Sequence, residues 1–219
     1  MQTNLIGRLG ALAAAAILLF PVQAQAQGTQ ATASSHAHDH ASSEVYKGMF
    51  EDSQIEARTL RDWRGDWQSV YPYLVDGTLD PVMADKAAHG DKTAEQYRAY
   101  YTTGYQTAVD RIIIIADTVT FHEDGKSVHG TYEGDGYEVL TYKAGNRGVR
   151  YIFTKKGGDE AAPQFIQFSD HRIAPAISDH FHLYWGDDRA ELLEEVTNWP
   201  TYYPAGLSGE EIVKEMLAH

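Results

Sequence analysis

A chain of 219 residues without cysteine has no thiolate metal ligand, no cysteine nucleophile and no disulfide brace, so its stability must come from a packed core. Lys and Arg number 18 against 31 Asp and Glu, a formal net charge of −13. That balance argues against nucleic acid or an anionic membrane as partner, since both recruit basic patches, and it favours accumulation of cations at the surface.

The first ten residues carry one basic side chain, Arg8, followed by an apolar run from Ala11 to Phe20 and the small-residue pattern Ala24-Gln25-Ala26. A charged start, a short apolar centre and an A-x-A site predict a cleaved signal peptide over residues 1–26. The apolar run is too short to span a bilayer as a helix. The mature chain is therefore expected to be exported to the periplasm, without insertion in the membrane. Residues 27–44 are rich in Ala, Ser, Thr and Gln and poor in large apolar side chains, which predicts a disordered tail. Within it, His36, His38 and His40 form a short tract. Such a tract serves either as an auxiliary metal-capturing site or as a flexible cluster that binds transition metals weakly.

The folded domain is expected over residues 45–219. The segment from Val45 to Leu60 has no clear period, and Gly65-Asp66-Trp67 opens the first strand in the manner of lipocalin-like barrels, where the Trp closes one end. Two helices are predicted next, Leu79 to His89 and Thr93 to Tyr105. The first has Pro81 at its start and Gly90 at its end. The second has Thr93 and Gln96 as a capping box, with Tyr97, Tyr100, Tyr101 and Tyr105 as a packing stripe.

From Asp110 the apolar period becomes two. Strands are predicted over Arg111–Ala116, Thr118–His122, Ser127–Glu133, Tyr137–Lys143, Val149–Thr154 and Gln164–Ser169, with turns at Glu123–Lys126, Gly134–Gly136 and Ala144–Asn146. Short strands joined by tight Asp, Gly and Asn turns describe an antiparallel meander suited to a closed barrel.

The chain's most informative stretch follows. His180 and His182 lie two apart in an aromatic and apolar run that ends at Gly186, so on a strand they share one face while Phe181, Leu183 and Trp185 take the other. His171 lies upstream across a segment broken by Pro175, which lets the chain double back. Two imidazoles on a strand face with a third from a loop suit a tetrahedral divalent metal that keeps one position open, zinc first. The pair alone fits a half-exposed polar strand face better than a metal site; the third histidine and the neighbouring Asp170 and Asp179 bring the metal reading level with it. After Gly186, Asp188 is expected to cap a helix running to about Val196. Trp199 to Pro204 reads as a rigid aromatic connection, and Ser208 with Glu211 forms a capping box for the last helix.

Several long motifs resemble the ZinT (YodA) family of periplasmic zinc-binding proteins: Gly65 to Leu74, Gly77 to Asp80, Gly145 to Phe153, Phe165 to His171, His180-Phe181-His182, Asn198 to Pro204 and Leu207 to Val213. The resemblance implies a mainly β fold with flanking α-helices, a lipocalin-like (calycin) antiparallel β-barrel. It implies Zn(II) held by His171, His180 and His182, with the fourth position left to water, a small ligand or a group from the N-terminal region. It also implies a role in zinc homeostasis under zinc shortage, binding of Cd(II) and other divalent metals, and a partner in the substrate-binding protein of a high-affinity zinc ABC importer.

Two other functions compete with that reading. Three histidines with an open position also describe a zinc-dependent hydrolase or hydratase, with Asp170 or Asp179 as the available bases. A lipocalin-like barrel that binds a small apolar molecule is the other. A non-enzymatic metal-binding protein is the expectation taken forward.

Overall fold

The computed structural model describes residues 44–142 and 145–218. The expected signal peptide and the tail with His36, His38 and His40 lie outside the described residues.

Eight antiparallel strands follow one another around a closed barrel: β1 (Gly65–Ser69), β2 (Val109–Ile115), β3 (Thr118–Glu123), β4 (Lys126–Thr141), β5 (Arg147–Gly158), β6 (Phe165–Ser169), β7 (Phe181–Gly186) and β8 (Thr201–Pro204). Each pairs with the next, and β8 returns to β1 through Trp67 opposite Pro204 and Ser69 opposite Tyr202. Closure removes the free sheet edges that an open meander would expose.

The helix Tyr71–Val75 was not expected, β5 runs on through the expected loop at Lys156 to Gly158, and two further segments change how the strands connect. Gly134-Asp135-Gly136 does not reverse the chain. It is an irregularity inside the single strand β4, whose register against β5 jumps between Gly134 opposite Phe153 and Tyr137 opposite Tyr151. Gly136 has φ 80°, a conformation that suits glycine and lets extra residues bulge out while pairing resumes on the same partner. The second segment is Thr201–Pro204, which is the closing strand rather than a connection. Its prolines sit where a strand tolerates them: Pro200 lies just before the strand and Pro204 is its final residue.

The barrel interior is filled. Trp63, Trp67, Ile112, Ile114, Val119, Tyr151, Phe153, Ile166, Phe168, Phe181, Leu183 and Tyr202 belong to one buried cluster. Trp63 comes from a 3-10 turn over Leu60–Trp63, stacks on Phe168 at 4.7 Å, and accepts the Trp67 indole N–H on its carbonyl at 2.9 Å. Alternation along β7 sends Phe181 and Leu183 into this cluster.

A second core lies outside the barrel wall. The helices α1 (Tyr71–Val75), α2 (Asp80–His89), α3 (Ala94–Tyr105) and α5 (Gly209–Leu217) surround it; α4 (Arg189–Glu194) follows β7. Val70, Leu74, Leu79, Val82, Met83, Tyr105, Ile212 and Tyr203 of β8 are its buried members, and Tyr97, Tyr101 and Trp199 pack against them. The capping boxes of α3 and α5 form as expected, Thr93 with Gln96 and Ser208 with Glu211. Asp188 accepts from the backbone N–H groups of Ala190 and Glu191 at the start of α4. Among the described residues no helix is long and apolar enough to cross a membrane.

Candidate metal centre

The β6–β7 pairing and the loop that joins these strands bring the three histidines together. Ser169 at the end of β6 lies opposite His182 on β7. Two residues past that pair the chain leaves the sheet, and His171, in the loop after β6, brings its ring within 5.8 Å of His180 and 5.5 Å of His182. The imidazole centres form a triangle with sides of 5.5 Å (His171–His182), 5.8 Å (His171–His180) and 6.1 Å (His180–His182). A tetrahedral zinc about 2.0–2.1 Å from each donor nitrogen would hold the ring centres roughly 5 Å apart. The triangle is thus slightly open. Consistent with that, no three His, Asp or Glu side chains among the described residues stand as a finished coordination cage.

The site faces away from the barrel interior, because His182 alternates with Phe181 and Leu183, which point inward. It lies against the outer wall where β7 meets β8. His171 is exposed and His180 is buried, so the cluster opens to solvent on one side only.

Each imidazole has its own support. His171 has φ 61°. Among the described residues Ala116 and Asp124 are the other non-glycine positions with positive φ, and both lie in hairpin turns. Histidine tolerates this region better than most residues, and a non-turn residue held there indicates a local constraint. The Tyr46 ring stacks on His171 at 4.5 Å. His180 stacks nearly parallel on Tyr203 at 5.0 Å. The Nδ1 of His182 lies 2.8 Å from the Thr201 hydroxyl. Burial, followed by the neighbouring His171 and His180, pushes the His182 imidazole well below the usual histidine range, so it is neutral at pH 7 and carries a lone pair for a metal.

The loop between β6 and β7 is held from below by the segment that precedes β1. Arg58 and Asp170 have fully buried side chains and form a bidentate pair at 2.5 and 2.9 Å. Arg58 also donates to the Ala176 carbonyl at 2.9 Å and lies 4.0 Å over the Trp63 ring. The Glu56 N–H donates to the Ile173 carbonyl, the Ser178 N–H to the Asp62 carbonyl, and the Ser178 hydroxyl to the His180 carbonyl. Asp170 is therefore engaged with Arg58, and Asp179 pairs with Arg172 at the surface. Neither of the two aspartates is left as an unencumbered general base. The remaining described histidines serve elsewhere: His129 binds Asp159 at 2.9 Å, His89 lies beside Asp85, and His122 sits across from Ser127.

Tyr46, Arg58, Thr201 and Tyr203 were not legible as site residues. For Thr201 and Tyr203 a signal existed in the sequence. Their spacing of two, opposite the His180-x-His182 pair, becomes meaningful once residues 201–204 are read as a strand.

Comparison with known proteins agrees with the fold. Residues 41–219 match the family model described as ZinT (YodA) periplasmic lipocalin-like zinc-recruitment. A probable metal-binding protein of Bacillus subtilis, YrpE, is 60% identical over 182 residues, covering 83% of this chain and 72% of that protein. The zinc-binding lipoprotein AdcA of Streptococcus pneumoniae is 51% identical over 177 residues, covering 80% of this chain and 35% of AdcA. The chain thus spans about a third of AdcA. The crystal structure of the Zn(II)-bound ZinT-like domain of that AdcA superimposes with a TM-score of 0.77 at 50% identity, covering 79% of this chain and 97% of that domain.

Proposed function

Because the chain belongs to the ZinT (YodA) family, we propose that it is an exported zinc-binding protein whose primary site is His171, His180 and His182. The observation that carries this reading is the triangle of three imidazoles with 5.5–6.1 Å sides on one face at the β6–β7–β8 junction. Nitrogen donors in a partly enclosed site suit Zn(II), and the exposed side of the cluster leaves a coordination position open. Cd(II) and other divalent metals are secondary ligands in this reading. Supporting it, YrpE is named a probable metal-binding protein and AdcA a zinc-binding lipoprotein.

The role proposed is capture of Zn(II) in the periplasm under zinc shortage and its delivery to the substrate-binding protein of a high-affinity zinc ABC importer. The likeness to a domain of AdcA supports a place in zinc handling, and the net charge of −13 favours cations near the surface. Binding rather than catalysis is the activity proposed, because both aspartates beside the histidines are paired with arginines. The alternative, a zinc-dependent hydrolase or hydratase, lacks an available base at these positions.

The test is competitive zinc titration of the mature chain and of His171→Ala, His180→Ala and His182→Ala. One tight site is expected in the parent. Each substitution should weaken it by more than about tenfold, since loss of an outer-shell support alone costs about 10–100-fold. Undiminished affinity in His182→Ala would overturn the assignment.

A further inference from the structure

We propose that Thr201 is a positioning residue that sets the tautomer of His182, and with it the nitrogen that faces the metal. The inference rests on the zinc-binding reading above for its consequence, but the hydrogen-bond argument stands on the metal-free protein.

A threonine hydroxyl has one proton to give and lone pairs to receive. The Thr201 hydroxyl lies 2.9 Å from the Trp199 carbonyl oxygen and 2.8 Å from His182 Nδ1. A carbonyl oxygen can only accept, so the hydroxyl proton goes to Trp199. Were it turned to His182 instead, two oxygen acceptors would face each other at 2.9 Å with no proton between them. Thr201 is 2% exposed, so bulk water is not at hand to relieve that clash, and an unmade hydrogen bond in such a place is costly. With its proton committed, Thr201 receives from His182. Nδ1 then carries the hydrogen and Nε2 carries the lone pair, the nitrogen on the opposite side of the ring from Thr201.

The Trp199 carbonyl is itself anchored. The Trp199 N–H donates to the Gly104 carbonyl at 2.6 Å, and the Asn198 amide donates to the carbonyls of Thr103, Gly104 and Gln106. A chain of contacts therefore runs from the C-terminal turn of α3 through Trp199 and Thr201 to His182. Metal-binding histidines usually donate a hydrogen bond from their second ring N–H to a carboxylate, a carbonyl or water. Here a hydroxyl that is polarised by a carbonyl fills that place. Because Thr201 and Tyr203 stand on the same face of β8, this one strand supports two of the three imidazoles: Thr201 holds His182 by a hydrogen bond, and Tyr203 holds His180 by stacking.

The test is long-range proton–nitrogen correlation NMR of the metal-free mature chain labelled at histidine nitrogen, at neutral pH, with zinc affinity measured by competition. In the parent protein His182 should carry its hydrogen on Nδ1. Thr201→Val keeps the β-branched shape and removes the acceptor. It should populate the other tautomer and weaken zinc binding by about 10–100-fold, while Thr201→Ser restores both readouts. A parent His182 protonated on Nε2 overturns the proposal without recourse to any variant, so a folding defect in Thr201→Val does not leave it undecided. Retention of both tautomer and affinity in a folded Thr201→Val overturns it as well. Failure of the zinc reading is seen separately, as undiminished affinity in His182→Ala.

Discussion

Asp170→Asn should destabilise the protein severely, and the structure sets the scale. Asp170 and Arg58 have side chains with 0% exposure, and the two guanidinium nitrogens that meet the carboxylate do so at 2.5 and 2.9 Å. The Asn amide preserves volume but removes the charge that compensates the guanidinium. Leaving one member of a buried pair uncompensated costs about 3–5 kcal/mol. For a domain of this size that corresponds to a fall in Tm of roughly 6–20 °C. Chemical denaturation of the metal-free chain is the direct assay, with the midpoint shift read at unchanged slope. Arg58 also holds the Ala176 carbonyl, and Asp170 directly precedes His171. The same substitution should therefore weaken zinc binding under conditions where the protein remains folded. Replacing both partners, as Arg58→Met with Asp170→Leu, removes the stranded charge and should recover much of the lost stability, because an apolar pair of similar volume often matches a buried ion pair. A loss below about 1 kcal/mol in the single variant, typical of an exposed pair, would refute the argument that this pair is buried and charged.

Three further outcomes are expected. Gly104→Ala lies near the end of α3, where Ala for Gly ordinarily adds up to about 1 kcal/mol. Here the new methyl would meet the Trp199 ring at 2.3–2.8 Å, so thermal melting should show a loss of about 1–3 kcal/mol, and a stabilised variant would contradict the packing. The depressed His182 value has a definite sign: below about pH 6.5 the unfolded chain takes up a proton that the native chain refuses. Metal-free stability should therefore decline as pH falls from about 6.5 toward the lowered folded value, and His182→Gln should show a shallower decline in urea titrations at a series of pH values. An equal decline in both would assign the effect to other groups. Finally, deleting residues 27–43 with His36, His38 and His40 should lower zinc stoichiometry or slow transfer while leaving the tight site. Loss of the tight site on calorimetric titration would make the tail a primary ligand donor.

Local rules carried much of the chain. Alternation of apolar residues placed β2, β3 and β6 within a residue or two of their observed bounds, and the Thr93/Gln96 and Ser208/Glu211 pairs marked helix starts that the structure shows. Spacing also put His180 and His182 on one face, since side chains alternate along a strand whatever surrounds it. Long-range pairing decided the rest. Gly134-Asp135-Gly136 has turn chemistry, yet β5 pairs on both sides of it and draws it into β4 as a bulge. Thr201–Pro204 follows one proline, ends on another and has too few residues to declare itself a strand; β1 and β7 make it one by supplying partners on either side. The supports of the site followed from that same closure. Arg58 reaches Asp170 across 112 positions and Thr201 reaches His182 across 19. No local pattern announces such contacts, because they exist only after the sheet closes. Sequence alone determined which residues are the candidates for the chemistry, through residue type and a period of two. Tertiary structure decided what holds them, because burial of a charge pair and the direction of a hydroxyl proton depend on neighbours distant in the chain.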